Sequence, residues 1–125
     1  MKKGNYKRNT LKRKLKEGAI GTIANGPNNS NMCDLIGQFG FDAAFVDFEH
    51  GGVSWSELSD ISRACELWDM ASVVRVNTLE PSLILRTLDL GASSIMVPHI
   101  ITVDDAEMAA KSCRYPPLGI RGVAG

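Results

Sequence analysis

No acid interrupts the first sixteen residues, which carry eight Lys or Arg, while the remainder holds all fourteen Asp and Glu against six bases. The formal net charge of zero therefore hides a basic head on an acidic body. The stretch "NTLKRKLKEG" sets only Leu11 and Leu15 on one helical face and offers no aromatic on which a base could stack. A solvated helix over residues 1–17 is expected, rather than a grip on nucleic acid or a membrane. No apolar stretch follows the basic residues, so no secretory signal is expected, and Lys-rich composition departs from the Ser- and Arg-rich pattern of a mitochondrial presequence. The expected location is the cytoplasm. No apolar run is long enough to cross a bilayer. Cysteine is scarce as well: Cys33, Cys65 and Cys113 are odd in number, form no C-x-x-C pair and fall within helical patterns, so reduced core thiols are expected. Neither a G-x-G-x-x-G nor a Walker pattern occupies the first strand-to-helix turn, which removes the usual warrant for a nucleotide site.

What is present is ordinary globular material, 44% hydrophobic and 22% charged over 125 residues, enough for one domain with a real core. After the basic lead-in, short β-like runs alternate with helical patterns. "AIGTIAN" (19–25) precedes "SNMCDLIGQFG", where Met32, Leu35, Ile36 and Phe39 recur at helical spacing and Gly40 sits where a helix would stop. "DAAFVDF" (42–48) precedes a stripe of Leu58, Ile61, Cys65 and Trp68, with Ser54 and Glu57 spaced for a capping box. "ASVVRVN" (71–77) leads to Pro81 at a first helical turn, then Ile84, Leu88 and the terminator Gly91. "SSIMVPHI" (93–100) leads to a fourth helix with Thr102 and Asp105 as its capping box and Ala106, Ala109, Ala110 and Cys113 on one face.

Four apolar strands, each followed by a helix, imply an α/β fold with a parallel sheet covered by helices, because parallel neighbours need a crossover. An open flavodoxin-like sheet and a closed barrel both remain, and in both the functional residues lie at the carboxyl ends of the strands. Those ends supply "DFEHGG", "RVN" and "VPHI". Arg75, in a strand expected to be buried, must find an anion, either a structural carboxylate such as Asp47 or Glu49 or a bound ligand. His50, beside Gly51 and Gly52, is either a general base with room for a substrate next to it or the polar residue that ends a strand. His99 has no acidic partner in its own motif and reads as a turn or supporting residue. Asp47 and Glu49, taken as neighbouring strand residues, are expected to point to opposite faces and to make a poor chelate.

The landmarks "LKEGAIGT", "GFDAAFVDFEHG", "VVRVN", "LDLGASSIMVPHI" and "DDAEMAAKSCRYPPLGIRG", in this order and spacing, resemble the HpcH/HpaI aldolase family of class II pyruvate aldolases. The resemblance runs from about Leu11 to the end of the chain. It implies a (β/α)8 barrel in which a divalent cation, Mg²⁺ or Mn²⁺, binds a 2-oxo acid during aldol cleavage or addition, in a homo-oligomer that is a hexamer in the family. By the same resemblance His50 is the base, Arg75 supports the enolate of pyruvate, Gly51 lies at the substrate, and Asp89 is the acid that raises the basicity of the histidine. A helix-terminal Asp is the other reading of Asp89. Arg121, in "PPLGIRG", resembles a loop near the substrate entrance.

The family takes its metal through a Glu and an Asp on later strands, which the resemblance puts beyond Gly125, so no metal ligand is assigned in this chain. Residues 18–125 are accordingly expected to form the N-terminal half of the barrel, four units of eight, with the fourth strand as an open edge. The alternative to a lyase is an inactive half-barrel that needs a partner to complete its fold.

Overall fold

The computed structural model describes residues 9–123. Four parallel strands, β1 (Ile23–Asn25), β2 (Ala43–Asp47), β3 (Ala71–Arg75) and β4 (Ser94–Met96), pair in chain order, leaving β1 and β4 as edges. Five helices accompany them: α1 (Thr10–Lys16), α2 (Ser30–Gly37), α3 (Trp55–Leu67), α4 (Pro81–Asp89) and α5 (Val103–Ser112). Each of the last four follows a strand, so the expected α/β alternation stands, as the N-terminal half of a (β/α)8 barrel. Of the helix expected over residues 1–17, α1 accounts for the part from Thr10 onward. Residues 1–8 lie outside the described residues, and so does Gly125, the far limit of the barrel half expected over 18–125.

Local chemistry sets the boundaries. Asn29 Oδ1 accepts from the Met32 amide at 3.0 Å to start α2, and the Ser54 amide donates to Glu57 at 2.8 Å to start α3. Thr102 and Asp105 bond each other's amides at 2.8 and 3.1 Å at the head of α5. Gly40 and Gly91 follow α2 and α4 with φ of 77° and 96°, a left-handed turn that an L side chain resists.

The pleat separates two cores. Ala44, Val46 and Val74 face outward onto Cys33, Leu58, Ile61 and Cys65 of the covering helices. Ala43, Ala71 and Val73 face the opposite way, with Phe45 packed beside them and Leu11 of α1 closing that side. Lys14 reinforces the closure through Asp42 at 2.7 Å, and Asn9 donates to the Ser93 carbonyl at 3.0 Å. The basic segment is thus tied across the starting ends of the strands by its described part. Its other apolar residue, Leu15, stays 53% exposed. Cys33, Cys65 and Cys113 are free thiols, the first two fully buried, and the neighbouring Cys33 thiol together with burial pushes the Cys65 thiol up.

Two expected stripes are corrected. On α2 the buried residues are Cys33 and Gly37, with Ile36 partly so, while Met32, Leu35 and Phe39 are exposed. The reason is close approach: a Cβ added at Gly37 would lie 2.3 Å from the Trp68 ring, so α2 turns its small residues, Cys33 and Gly37, toward α3 and the indole at its end. Trp68 covers that contact while remaining 42% exposed. On α5 Ala106 and Ala110 are exposed, Ala109 is half-buried, and only Ser112 is buried.

Candidate functional site

The alternation that sends Ala44 and Val46 outward brings Phe45 and Asp47 of β2 to the inner face, and β3 does the same with Val73 and Arg75. Asp47 and Arg75 are register partners at the carboxyl ends of their strands. Their side chains meet edge to edge: Arg75 Nε donates to Asp47 Oδ1 at 2.8 Å and Nη2 to Oδ2 at 2.6 Å. Phe45 lies beneath, with the guanidinium carbon 5.6 Å from its ring centroid.

Beyond β2 the chain turns out of the sheet but stays anchored. Phe48 stacks on Trp55, the first residue of α3, at 4.4 Å between centroids, and its amide donates to the Arg75 carbonyl at 2.9 Å. The loop 49–54 is therefore held at both ends. Within it the Glu49 amide donates to Asp47 Oδ1 at 3.0 Å, and the Glu49 carboxylate returns to the inner face. There Oε2 lies 3.1 Å from Arg75 Nη1, and Oε1 lies 2.8 Å from His99 Nε2. Asp47 and Glu49 thus converge instead of diverging. Glu49 lies in the loop beyond β2, where strand alternation no longer applies, and the turn closed by its amide on Asp47 Oδ1 brings its carboxylate back toward Arg75.

His50 stands at the rim with its side chain 73% exposed and Nε2 3.8 Å from Glu49 Oε2, too far for a hydrogen bond. Gly51 owes its identity to the chain itself, since a Cβ there would fall 2.2 Å from the Asp47 carbonyl oxygen. Open space lies instead beside Gly52, where an added Cβ meets nothing within 4 Å.

His50 and Arg75 therefore share one end of the sheet, and His99, read from its motif as lacking an acidic partner, has one in Glu49 from two strands away. Asp89 is placed elsewhere. It ends α4, which runs back toward the starting ends of the strands, and four residues later the Ser93 amide reaches Ser72 near the start of β3. Asp89 Oδ1 accepts instead from Arg121 Nη2 at 2.8 Å, and Arg121 stacks over Tyr115 at 4.7 Å. Arg121 consequently reads as a strap from the last loop onto α4.

Electrostatically the site is a carboxylate pair around one cation. The Arg75 guanidinium holds the Asp47 carboxyl well below the usual carboxylate range, helped by the amides of Glu49 and His50. The carboxylates in turn push Arg75 upward. A depressed carboxylate contributes stability that is complete above its unfolded-state value and is lost as pH falls toward the folded one. We expect Asp47→Asn to be less stable than the parent at pH 7 and to lose less of its remaining stability between about pH 5 and pH 2; urea titrations at the two pH values measure the difference.

Of the five N–H donors of Arg75, two are given to Asp47, and Nη1 lies 3.1 Å from a Glu49 oxygen as an ion pair. Among the described residues no group of three or more His, Cys, Asp or Glu could hold a metal ion, and both carboxylates at this rim are committed to Arg75.

The HpcH/HpaI aldolase/citrate lyase family model matches residues 25–125. The hydroxypyruvate/pyruvate aldolase of Roseobacter denitrificans is 35% identical over 120 residues, which are 92% of this chain and 45% of that protein. The 5-keto-4-deoxy-D-glucarate aldolase of Escherichia coli is 39% identical over 97 residues, 78% of this chain and 38% of that one. A crystal structure of an HpcH/HpaI aldolase from Desulfitobacterium hafniense superposes with a TM-score of 0.81 at 29% identity, covering 92% of this chain and 45% of its own. The chain thus spans less than half the length of the curated relatives it matches.

Proposed function

The chain belongs to the HpcH/HpaI aldolase/citrate lyase family, and from that premise we propose that it supplies the 2-oxo-acid end of a carbon–carbon lyase acting on pyruvate-like substrates. The observation that carries the reading is Arg75, fixed along one edge by two bonds to Asp47 and still 25% exposed at the strand end, with further N–H donors on its terminal nitrogens. Such a fork suits the oxygens of a 2-oxo acid and supports negative charge as it develops.

In the cleavage direction His50 takes the proton of the aldol hydroxyl. The C–C bond then breaks, the aldehyde leaves, and the bonding pair becomes the enolate of the 2-oxo acid, held by Arg75. The proton is then available to quench the enolate carbon, and addition runs the same steps backwards. Exposure at the rim suits His50 to this exchange, and Gly51 keeps the loop close enough to Asp47 to hold it there.

The Mg²⁺ or Mn²⁺ expected of the family would polarise the keto oxygen when bound. The described residues do not fit it with a seat of their own; its donors would be residues beyond Gly125. Asp89 lies on Arg121 within one chain, so the role carried over to it, tuning His50, is proposed only across a contact between chains in a homo-oligomer.

The test is pyruvate formation from 4-hydroxy-2-oxo acids by the protein carrying this chain, with Mg²⁺ or Mn²⁺ added. Absence of cleavage across a panel of such acids would refute the reading.

A second reading, that the chain turns over only once its sheet is completed by further strands, is favoured by the inner face. Ile23 and Met96, on the two edge strands, are 47% and 43% exposed. Sedimentation of the chain at increasing concentration is expected to show association through these edges; a stable monomer throughout would contradict it.

A further inference from the structure

We propose that His99 is a positioning residue of the same site, one that holds Glu49 turned toward Arg75 and away from His50. The inference deepens the lyase reading and rests on it for its catalytic consequence.

Glu49 is the hub. Its side chain is only 11% exposed and each carboxylate oxygen has one close partner, Oε2 with Arg75 Nη1 at 3.1 Å and Oε1 with His99 Nε2 at 2.8 Å. His50 Nε2 waits 3.8 Å from Oε2. Two cationic or donor groups therefore hold the carboxylate from β3 and from the end of β4, and a third lies just outside hydrogen-bond range. Removing the β4 donor frees Oε1, and a movement of less than about 1 Å then brings the carboxylate into bonding range of His50.

The backbone at His99 points to the same role. Its φ of 56° is left-handed, one of two such non-glycine residues among those described. That conformation is unfavourable for an L residue, and such outliers cluster where surrounding contacts hold a side chain in a functional place. Packing does not explain it, because the imidazole is 78% exposed. The specific contact that the ring makes is the one to Glu49. With Nε2 as donor to a carboxylate, the tautomer of His99 is set and Nδ1 is left facing outward.

The consequence for His50 is chemical. A carboxylate bonded to His50 Nε2 would require a proton on that nitrogen and would remove it as a proton acceptor. His99 prevents this by keeping Glu49 occupied, so that Arg75 stays braced and the His50 nitrogen stays available to substrate.

The chain has two histidines, which makes the test direct. In ¹⁵N-histidine spectra of the parent at pH 7.5, His99 is expected to carry its proton on Nε2. In His99→Gly, where the left-handed backbone is tolerated and only the imidazole is lost, the single remaining ring is His50. Its Nε2 signal is expected to move toward the protonated position, and His99→Gln, which restores an N–H donor, is expected to return it. An unchanged His50 spectrum in His99→Gly overturns the proposal. Should that variant fail to fold, Glu49→Ala, which removes the acceptor altogether, decides: His99 must then lose its fixed tautomer, and an unaltered His99 spectrum overturns the proposal equally. In the protein carrying this chain, assayed with 4-hydroxy-2-oxo acids, His99→Gly is expected to lower kcat about tenfold with KM changed less than about twofold, and Gln to recover most of it. An unchanged kcat also counts against the proposal. A parent without any cleavage refutes the lyase reading instead, and the spectra alone then decide the role of His99.

Discussion

Replacing Arg75 by alanine is expected to lower kcat/KM for 2-oxo-acid cleavage by at least about 10²–10³-fold, the range for losing a fixed donor to a developing oxyanion. The same change is expected to lower Tm by several degrees at pH 7. Both effects have one origin. Arg75 is the cation that Asp47 and Glu49 share, and these side chains are only 19% and 11% exposed. Removing it leaves two carboxylates on one face with no positive charge between them. The stability deficit should therefore shrink on acidification, because protonating either carboxyl relieves the repulsion, whereas the activity should not return. Arg75→Lys separates the roles. An ammonium restores charge but cannot engage Asp47 along two bonds and still present a fork to the substrate, so Tm should recover more than turnover. Melting curves at pH 7 and pH 5 beside a pyruvate assay measure all of this. An Arg75→Ala protein that cleaves at the parental rate would remove the guanidinium from the mechanism.

The elements were legible in the sequence because their ends are written in local chemistry. Ser54, Thr102 and Pro81 mark helix starts, Gly40 and Gly91 mark stops, and none of these depends on distant packing. The placement of Arg75 and His50 at one end followed from the parallel sheet alone. What was not legible depended on partners across the fold. The apolar period of α2 favours its large residues, yet a tight helix contact needs small ones, and Cys33 and Gly37 rather than Leu35 meet α3. The contact between Glu49 and His99 spans 50 positions and depends on β2 and β4 flanking β3. Its only local trace is the segment "VPHI" itself. Asp47 and Glu49 were legible as anions for Arg75; their convergence on it was not, because Glu49 lies past the end of β2 and returns through a turn that strand alternation does not describe. Asp89 likewise depends on more than its local segment: it ends α4 and bonds Arg121 at the far end of the sheet, so within one chain it does not meet His50.

His50→Asn is the complementary case, with a large effect on rate and almost none on stability. The parental imidazole is 73% exposed and lies 3.8 Å from its nearest carboxylate oxygen, so little native structure depends on it. An exposed substitution of this kind ordinarily changes stability by no more than about 0.5 kcal/mol. Catalytically the loss should be severe. Asparagine can donate or accept a hydrogen bond but cannot carry a proton away, and general-base assistance is worth roughly 10²–10⁴-fold. The fall should appear in kcat, because in the proposed mechanism the oxo acid is held by Arg75 and not by His50, and KM should move far less. Proton exchange at C3 of pyruvate, followed by loss of its methyl proton signal in deuterated water, isolates the enolate half-reaction from aldehyde handling. If exchange falls together with cleavage, His50 moves the proton at the enolate carbon as well as at the hydroxyl. Should cleavage collapse while exchange persists, His50 serves the hydroxyl alone and a different group protonates the enolate. Retention of both rates would place the base outside "DFEHGG" altogether, and the polar end of β2 would then be a clamp for Arg75 and nothing more.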